Sequence, residues 1–320
     1  MTGHREHLRG AALVAAAALL WSSSGLFIKA LPLGPLQIAG VRSLVAALTM
    51  AVVVRLRGGR PFPRPDGLSL ACAASYAGVL ILFVAATKLT TAANAIFLQF
   101  SAPIYLVFLE PWVTKRSLQG RDLVAVALCL GAMGLFFVGR FEAGSFTGNA
   151  LAVISGVCLA LFALTLKLKR ERQPEADPIS AIILGNLLVA ALCLPFALPG
   201  LRPTPLQSGM LLYLGVFQIG LAYLLFNAGM KRLSATAAVV TGTLEAVLNP
   251  VWVFLGVGER PSPYALAGGV LILATIAWYT LRPSPRRPAA PGTRCPGAPA
   301  APRRRAPPPR ASPGRGSRGR

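Results

Sequence analysis

Acidic residues are scarce in this chain: ten Asp and Glu stand against 32 Lys and Arg in 320 residues, and charged residues of both signs make up only 13%. With 54% hydrophobic residues and a mean hydropathy of +0.61, there is more apolar surface than one soluble core can hide, which argues against a soluble globular enzyme. Histidine is nearly missing. His4 and His7 are the only two and both lie in the N-terminal stub, so a His-based metal site or catalytic triad in the body is excluded. The five cysteines, Cys72, Cys129, Cys158, Cys193 and Cys295, are far apart, and four of them fall in apolar runs. That spacing fits neither a disulfide framework nor a zinc cluster, and they are read as small packing residues. The P-loop pattern GxxxxGK followed by Ser or Thr is also absent, as is a nucleophile with a nearby base. No catalytic residue, cofactor or metal site is therefore expected.

What the sequence has instead is apolar length. A membrane-crossing helix needs about 20 mostly apolar residues. Runs bounded by charge, Gly or Pro give ten such spans: 11–31, 36–54, 68–87, 91–112, 121–139, 148–166, 178–198, 207–229, 235–257 and 264–281. The first is long for a signal peptide, lacks a clear cleavage site before Lys29, and is read as retained. Basic residues crowd on alternate loops. Fourteen of them, including Arg5, Arg55, Arg57, Lys167, Arg170 and Arg260, are assigned to the side of the N-terminus, against five, Lys88, Arg140, Arg202, Lys231 and Arg232, on the other. The expectation is an even number of spans with both termini cytoplasmic.

The net charge of +22 falls to +12 without residues 283–320, which hold ten Arg, eleven Pro, no acidic residue and no aromatic. This composition does not fold on its own. The distribution points away from a nucleic-acid partner. Two readings of the tail stay open: contact with anionic lipid headgroups, and a solvated extension.

The two halves repeat. Phe83–Thr91 reads FVAATKLTT and Phe226–Ala235 reads FNAGMKRLSA, and each precedes a span with one proline deep in an apolar run, FSAPIYLVFLE around Pro103 and VLNPVWVFLG around Pro250. Half of ten is five, and an odd number of spans per unit turns the second copy upside down in the bilayer. The organisation predicted is an all-α integral membrane protein of two inverted five-helix repeats, residues 11–139 and 148–281, between a stub at 1–10 and a disordered tail at 282–320. Each proline is expected to free a carbonyl, that of Gln99 in the first repeat and that of Ala246 in the second, either as a ligand or as a kink satisfied by neighbouring helices.

Glu245 falls about ten residues into the ninth span, where an unpaired carboxylate costs at least about 2.5 kcal/mol. Thr241, Glu245 and Asn249 recur at i, i+4 and i+8 as a polar stripe. The carboxylate is read as a proton or amine site, or as a structural partner for a neighbouring helix. Arg42 in span two is either its counter-charge or a snorkelling residue. Trp21, Gly25 and Lys29 form a second line, with the glycine leaving room beside the helix; Tyr223 and Asn227 form another on span eight, and Asn94, Ser101 and Tyr105 a looser one on span four. Glu110 and Glu259 are placed near the cytoplasmic ends, solvated or paired with Arg116 and Arg260.

Three stretches carry a family resemblance: LLWSSSGLFIKA, VRSLVAALTM and, above all, TLEAVLNPVWVFLGVGERPSPYALAGGVLILA. They resemble the EamA-like branch of the drug/metabolite transporter superfamily, over residues 11–281. The first half departs from the pattern, with EPWVTKRS where a G-E-R-like turn is expected. The resemblance implies ten helices in inverted repeat that move small organic solutes, amino acids or their derivatives among them, frequently outward across the bacterial inner membrane. Carried over by position, it marks Trp21, Lys29, Arg42, Pro103, Pro250, Glu259 and Arg260. The function expected is a secondary transporter, possessing a cavity lined by spans one, three, four, six, eight and nine, with Glu245 as proton or amine site. An uncoupled facilitator, a nucleotide-sugar-type antiporter and a non-transporting scaffold are the alternatives.

Overall fold

The structure is a computed structural model, and it describes residues 2–62, 66–114, 120–135, 143–173, 177–232 and 241–281. Among these the regular secondary structure is entirely helical. Span one is made of α1 (Thr2–Ser22) and a seven-residue α2 (Ser24–Ala30). Then come α3 (Pro35–Leu56) and α4 (Gly67–Leu89), followed by span four as α5 (Ala92–Gln99) and α6 (Ala102–Thr114). The chain continues through α7 (Gly120–Leu135), α8 (Ala143–Arg172) and α9 (Ile179–Ala197). Span eight is α10 (Pro205–Tyr213), a π-helical stretch at Leu214–Leu221 and α11 (Ala222–Met230). Last are α12 (Leu244–Val257) and α13 (Pro263–Leu281). Seven helical segments are long and apolar enough to cross a membrane, and three shorter apolar ones lie at Leu123–Leu135, Leu244–Val257 and Pro263–Trp278.

Helix ends follow from local chemistry. Thr91 caps α5 by accepting from the Asn94 amide, and Thr204 caps α10 through Gln207, ahead of a proline at the first helical position. Gly258 ends α12 in the left-handed region at φ 72°, which a residue without Cβ adopts freely.

Packing is inside out relative to a soluble protein. Large apolar side chains such as Val52, Leu130, Leu192 and Val270 are exposed, as lipid contact requires. The buried polar residues include Arg42, Asn94, Asn149, Asn186 and Asn249. Helix α4 packs on α8 and α9, α3 on α9 and the π-helical stretch, and α1 on α11 and α12. Close approach depends on small residues. A Cβ added at Gly25 would overlap the Asn249 side-chain amide, so the room that the glycine was expected to leave is filled by Asn249.

Three expectations are corrected. Pro103 does not kink a continuous helix: the span breaks completely at Phe100–Ser101, and the proline sits in the first turn of the new helix α6, where its missing N–H costs nothing. Pro250 does lie within a helix, α12. Lys231 and Arg232 belong at the same end as the N-terminus, because Arg232 pairs with Glu6 at 2.9 Å. Glu259 and Arg260 belong at the opposite end. Glu259 pairs with Lys29 at 2.7 Å rather than with Arg260, whose guanidinium lies 5.8 Å from the Phe254 ring centre. The side chains of Glu110 and Arg116 and the whole tail lie outside the described residues.

Asp66 caps α4. Its carboxylate accepts from the Ser69 amide at 2.9 Å and from the Ser69 hydroxyl, takes 2.8 Å from Gln173, and lies 3.5 Å from the Lys169 ammonium. These bonds, those of Ser69 first, pull its pKa from 3.8 down to about 2. A depressed carboxylate pKa means stability present above the unfolded value and lost as pH falls through the folded one. Asp66→Ala is expected to lower the unfolding midpoint in detergent by the equivalent of about 1 kcal/mol, the usual worth of an N-cap. The gap between variant and parent should be full above about pH 4 and close toward pH 2. A gap independent of pH would contradict the capping role. Gly25→Ala should also destabilise, by about 1–3 kcal/mol from overpacking. Adding Asn249→Ala should recover part of that loss in the same thermal assay, since the overlap is with that side chain.

Candidate functional site

A cavity of about 760 Å³ occupies the middle of the helix bundle. Its wall is mostly apolar and aromatic. Trp21 meets Tyr223 with ring centres at 4.9 Å and Phe226 at 5.2 Å, while Tyr76 meets Phe162 at 4.8 Å and Tyr223 at 5.4 Å. These rings come from spans one, three, six and eight and form a continuous collar. Among the aromatic rings charge enters at two points, Arg42 from α3 and Glu245 from the first turn of α12, apart from the exposed Lys167, Arg170 and Glu171 at one mouth.

Arg42 is only 1% exposed, which overturns the snorkelling reading. One terminal nitrogen donates to the Leu80 carbonyl at 3.4 Å, and Nε has no partner. Glu245 makes no hydrogen bond or ion pair among the described residues, and the two charges do not pair with each other. A buried guanidinium without a counter-ion costs several kcal/mol, so an anionic group in the cavity relieves it.

The helix breaks border the same space. Phe100, Ala102 and Pro103 line it on one side, at the break between α5 and α6. Gly242, Thr243 and Glu245 line it on another, where the helix interrupts at Thr243 before α12. In hydrocarbon, irregular backbone survives only where protein or a wet cavity satisfies it. The π-helical stretch contributes Gln218, 6% exposed with its Oε1 unpartnered, and Ile219.

Of the residues singled out from the sequence, Trp21, Arg42, Gln99, Pro103, Tyr223 and Glu245 line the cavity. Gln99 is tied back by donating to the Ser155 hydroxyl at 2.7 Å. The others stand off the wall. Asn249 donates to the Ser24 hydroxyl at 3.3 Å in the packing of α12 on α2, so the stripe with Thr241 and Glu245 does not face one space. Pro250 is buried in the same helix. Asn227 reaches Asp177 at 3.5 Å near the surface, and Tyr105 takes a hydrogen bond from Ser101 at 3.1 Å. Tyr76, Phe162 and Gln218 were missed. Each sits alone in an apolar run, and nothing in its own segment sets it apart from a packing residue. The wall also draws on span two through Arg42 and span ten through Ile276, beyond the six spans expected.

The two ends of the cavity differ. Toward the N-terminal end the wall reaches the exposed Lys167, Arg170 and Glu171. At the other end of the bundle Lys29, Glu259, Thr90 and Ala92 are joined together, off the cavity wall.

The family model for the EamA-like transporter family matches residues 8–138 and 146–281. An uncharacterized transporter of Archaeoglobus fulgidus is 28% identical over 291 residues, 84% of this chain and 96% of that protein. A biotin transporter of Escherichia coli K12 is 25% identical over 249 residues, 74% of this chain and 80% of the relative. A protein of known crystal structure, 19% identical, superposes with a TM-score of 0.61 over 85% of this chain and 97% of its own length, a likeness of fold. The broken helices around a central cavity and the two matched segments lead to one conclusion: this multi-pass membrane protein belongs to the EamA-like transporter family.

Proposed function

We propose that this transporter exports a small organic metabolite from the bacterial cytoplasm by alternating access, with two five-helix halves, inverted relative to each other, rocking about the central cavity. The observation that carries this function is the 760 Å³ cavity itself, with Arg42 and Glu245 mutually unpaired on an aromatic wall that reaches exposed residues at one end. The inversion draws support from the repeated motifs: Lys88 donates to the Leu31 carbonyl at the end away from the N-terminus, while its counterpart Lys231 adjoins Arg232 and its partner Glu6 at the other end. The corrected positions of Lys231, Arg232 and Arg260 also sharpen the excess of basic residues at the N-terminal end, which supports cytoplasmic termini. The Arg-rich tail then adjoins the cytoplasmic leaflet, whose anionic headgroups attract it.

In this function Arg42 receives a carboxylate, the collar of Trp21, Tyr76, Phe162 and Tyr223 receives an apolar body, and Glu245 takes a proton or an amine. Amino acids and their derivatives meet that description. Biotin, named for the Escherichia coli relative, is a carboxylic acid and joins them as a candidate.

The test is extracellular metabolite profiling of a bacterial host overexpressing the chain, beside Glu245→Gln at matched expression. A defined metabolite should accumulate outside in the parent, and the variant should lose most of that accumulation, about tenfold or more if the carboxylate is needed in every cycle. Export that survives in Glu245→Gln with unchanged dependence on external pH would remove the coupling role. Export that ignores a collapsed proton gradient would establish an uncoupled facilitator instead.

A further inference from the structure

At the end of the bundle away from the N-terminus, Lys29 and Glu259 meet with Nζ and Oε2 2.7 Å apart, each side chain about one-fifth exposed at 19% and 21%. Both groups are used again. Lys29 Nζ donates to the Thr90 carbonyl at 2.7 Å, and Glu259 Oε1 accepts from the Ala92 amide at 2.7 Å. One ion pair thus ties together three segments: the end of α2, the turn between α4 and α5, and the turn after α12. Neither residue lines the cavity, whose wall in span one stops at Ser24.

Below the pair, α2 lies along α12. A Cβ added at Gly256 would overlap the Leu26 side chain, Ser24 accepts from Asn249 at 3.3 Å, and Ser22 accepts from Trp252 Nε1 at 3.0 Å. Span one breaks at Ser23 between α1 and α2, and Ser22 and Ser23 fold their hydroxyls back onto the Leu19 and Leu20 carbonyls at 2.7 Å. The Leu19 and Leu20 carbonyls are therefore served by side chains of their own segment, and a swing of α2 does not leave those two bare in hydrocarbon.

We propose that α2 is a gate hinged at Ser23, and that the Lys29–Glu259 pair is the latch holding it shut across the end of the cavity away from the N-terminus. The proposal rests on the alternating-access function and adds to it the moving element and the contact that must break. An ion pair at this depth suits a latch: it is directional and partly hydrated, so its partners are re-solvated when it opens, whereas a purely apolar seal exposes its whole face.

The test measures accessibility and needs no substrate. Val79, on the cavity wall, is replaced by cysteine in the full-length chain after its five native cysteines are changed to serine. Labelling by a membrane-impermeant maleimide is then timed in intact cells and in inside-out vesicles. With the latch intact, Val79→Cys should react quickly in inside-out vesicles and slowly in cells. Lys29→Ala and Glu259→Gln should each raise the rate in cells by about tenfold, as expected when a closed state loses one interaction of this kind. The exchanged pair Lys29→Glu with Glu259→Lys should return it toward the parental rate. Unchanged labelling in inside-out vesicles certifies the fold, and Lys29→Gln serves as a second variant should Lys29→Ala not accumulate. Parental rates in cells for the single variants would overturn the latch, as would an exchanged pair as fast as the single variants. If the parent reacts from outside and not from inside, the orientation proposed above falls, and the latch is then read from the vesicle rates with the same criteria.

Discussion

Hydrocarbon offers no hydrogen bonds, and most of this architecture follows from that constraint. Each polar group within the spans has to be satisfied by the protein or by a wet cavity. Intact helices such as α3, α4 and α9 do so through their own backbone. The three interrupted spans need more. In span one, Ser22 and Ser23 serve the carbonyls below them, and in span four Ser101 serves Leu98. The remaining irregular backbone, around Phe100 and around Thr243, lies against the central cavity. The breaks and the cavity are therefore one feature, since neither survives in lipid without the other.

The same constraint sorts the charges. At one end Asp66, Ser69, Gln173 and the buried Lys169 form a connected cluster, and at the other Lys29 and Glu259 join three segments. These charges at the ends are paired. Those at the centre are not: Arg42 and Glu245 share a cavity wall without an ion pair between them. A structural pair at that depth would be satisfied internally, and these two groups are not satisfied by each other. The π-helical stretch in span eight fits this pattern, because its extra residue per turn places Gln218 beside the cavity with an oxygen unpartnered.

Much of this was legible along the chain. The spans were readable because 20-residue apolar runs have one physical explanation, and Arg42 and Glu245 because a charge inside such a run is costly enough to need a reason. What could not be read was partnership. Glu259 was assigned to its sequence neighbour Arg260 and to the wrong end of the bundle, while its partner Lys29 lies 230 residues away. Lys231 and Arg232 follow eight spans, an even number, so counting alone returns them to the N-terminal end, where Arg232 pairs with Glu6. Pro103 marks an interrupted or kinked span in the sequence, and the break itself falls two residues earlier, where Ser101 turns its hydroxyl back to Leu98. In each case local spacing names the residue type and distant packing chooses its contact.

By itself, then, the sequence determined that this is an all-helical membrane protein with two related halves and costly charges within its spans, because hydrophobic length, repetition and burial cost are properties of local stretches. Only the tertiary structure decided which of those groups share a space. Helix rotation and crossing turn Tyr76, Phe162, Gln218 and Tyr223 onto one cavity and turn Asn249 and Asn227 away from it. They also bring together Lys29 and Glu259, 230 residues apart in the chain, a contact set by how α2 packs on α12, which no local pattern records.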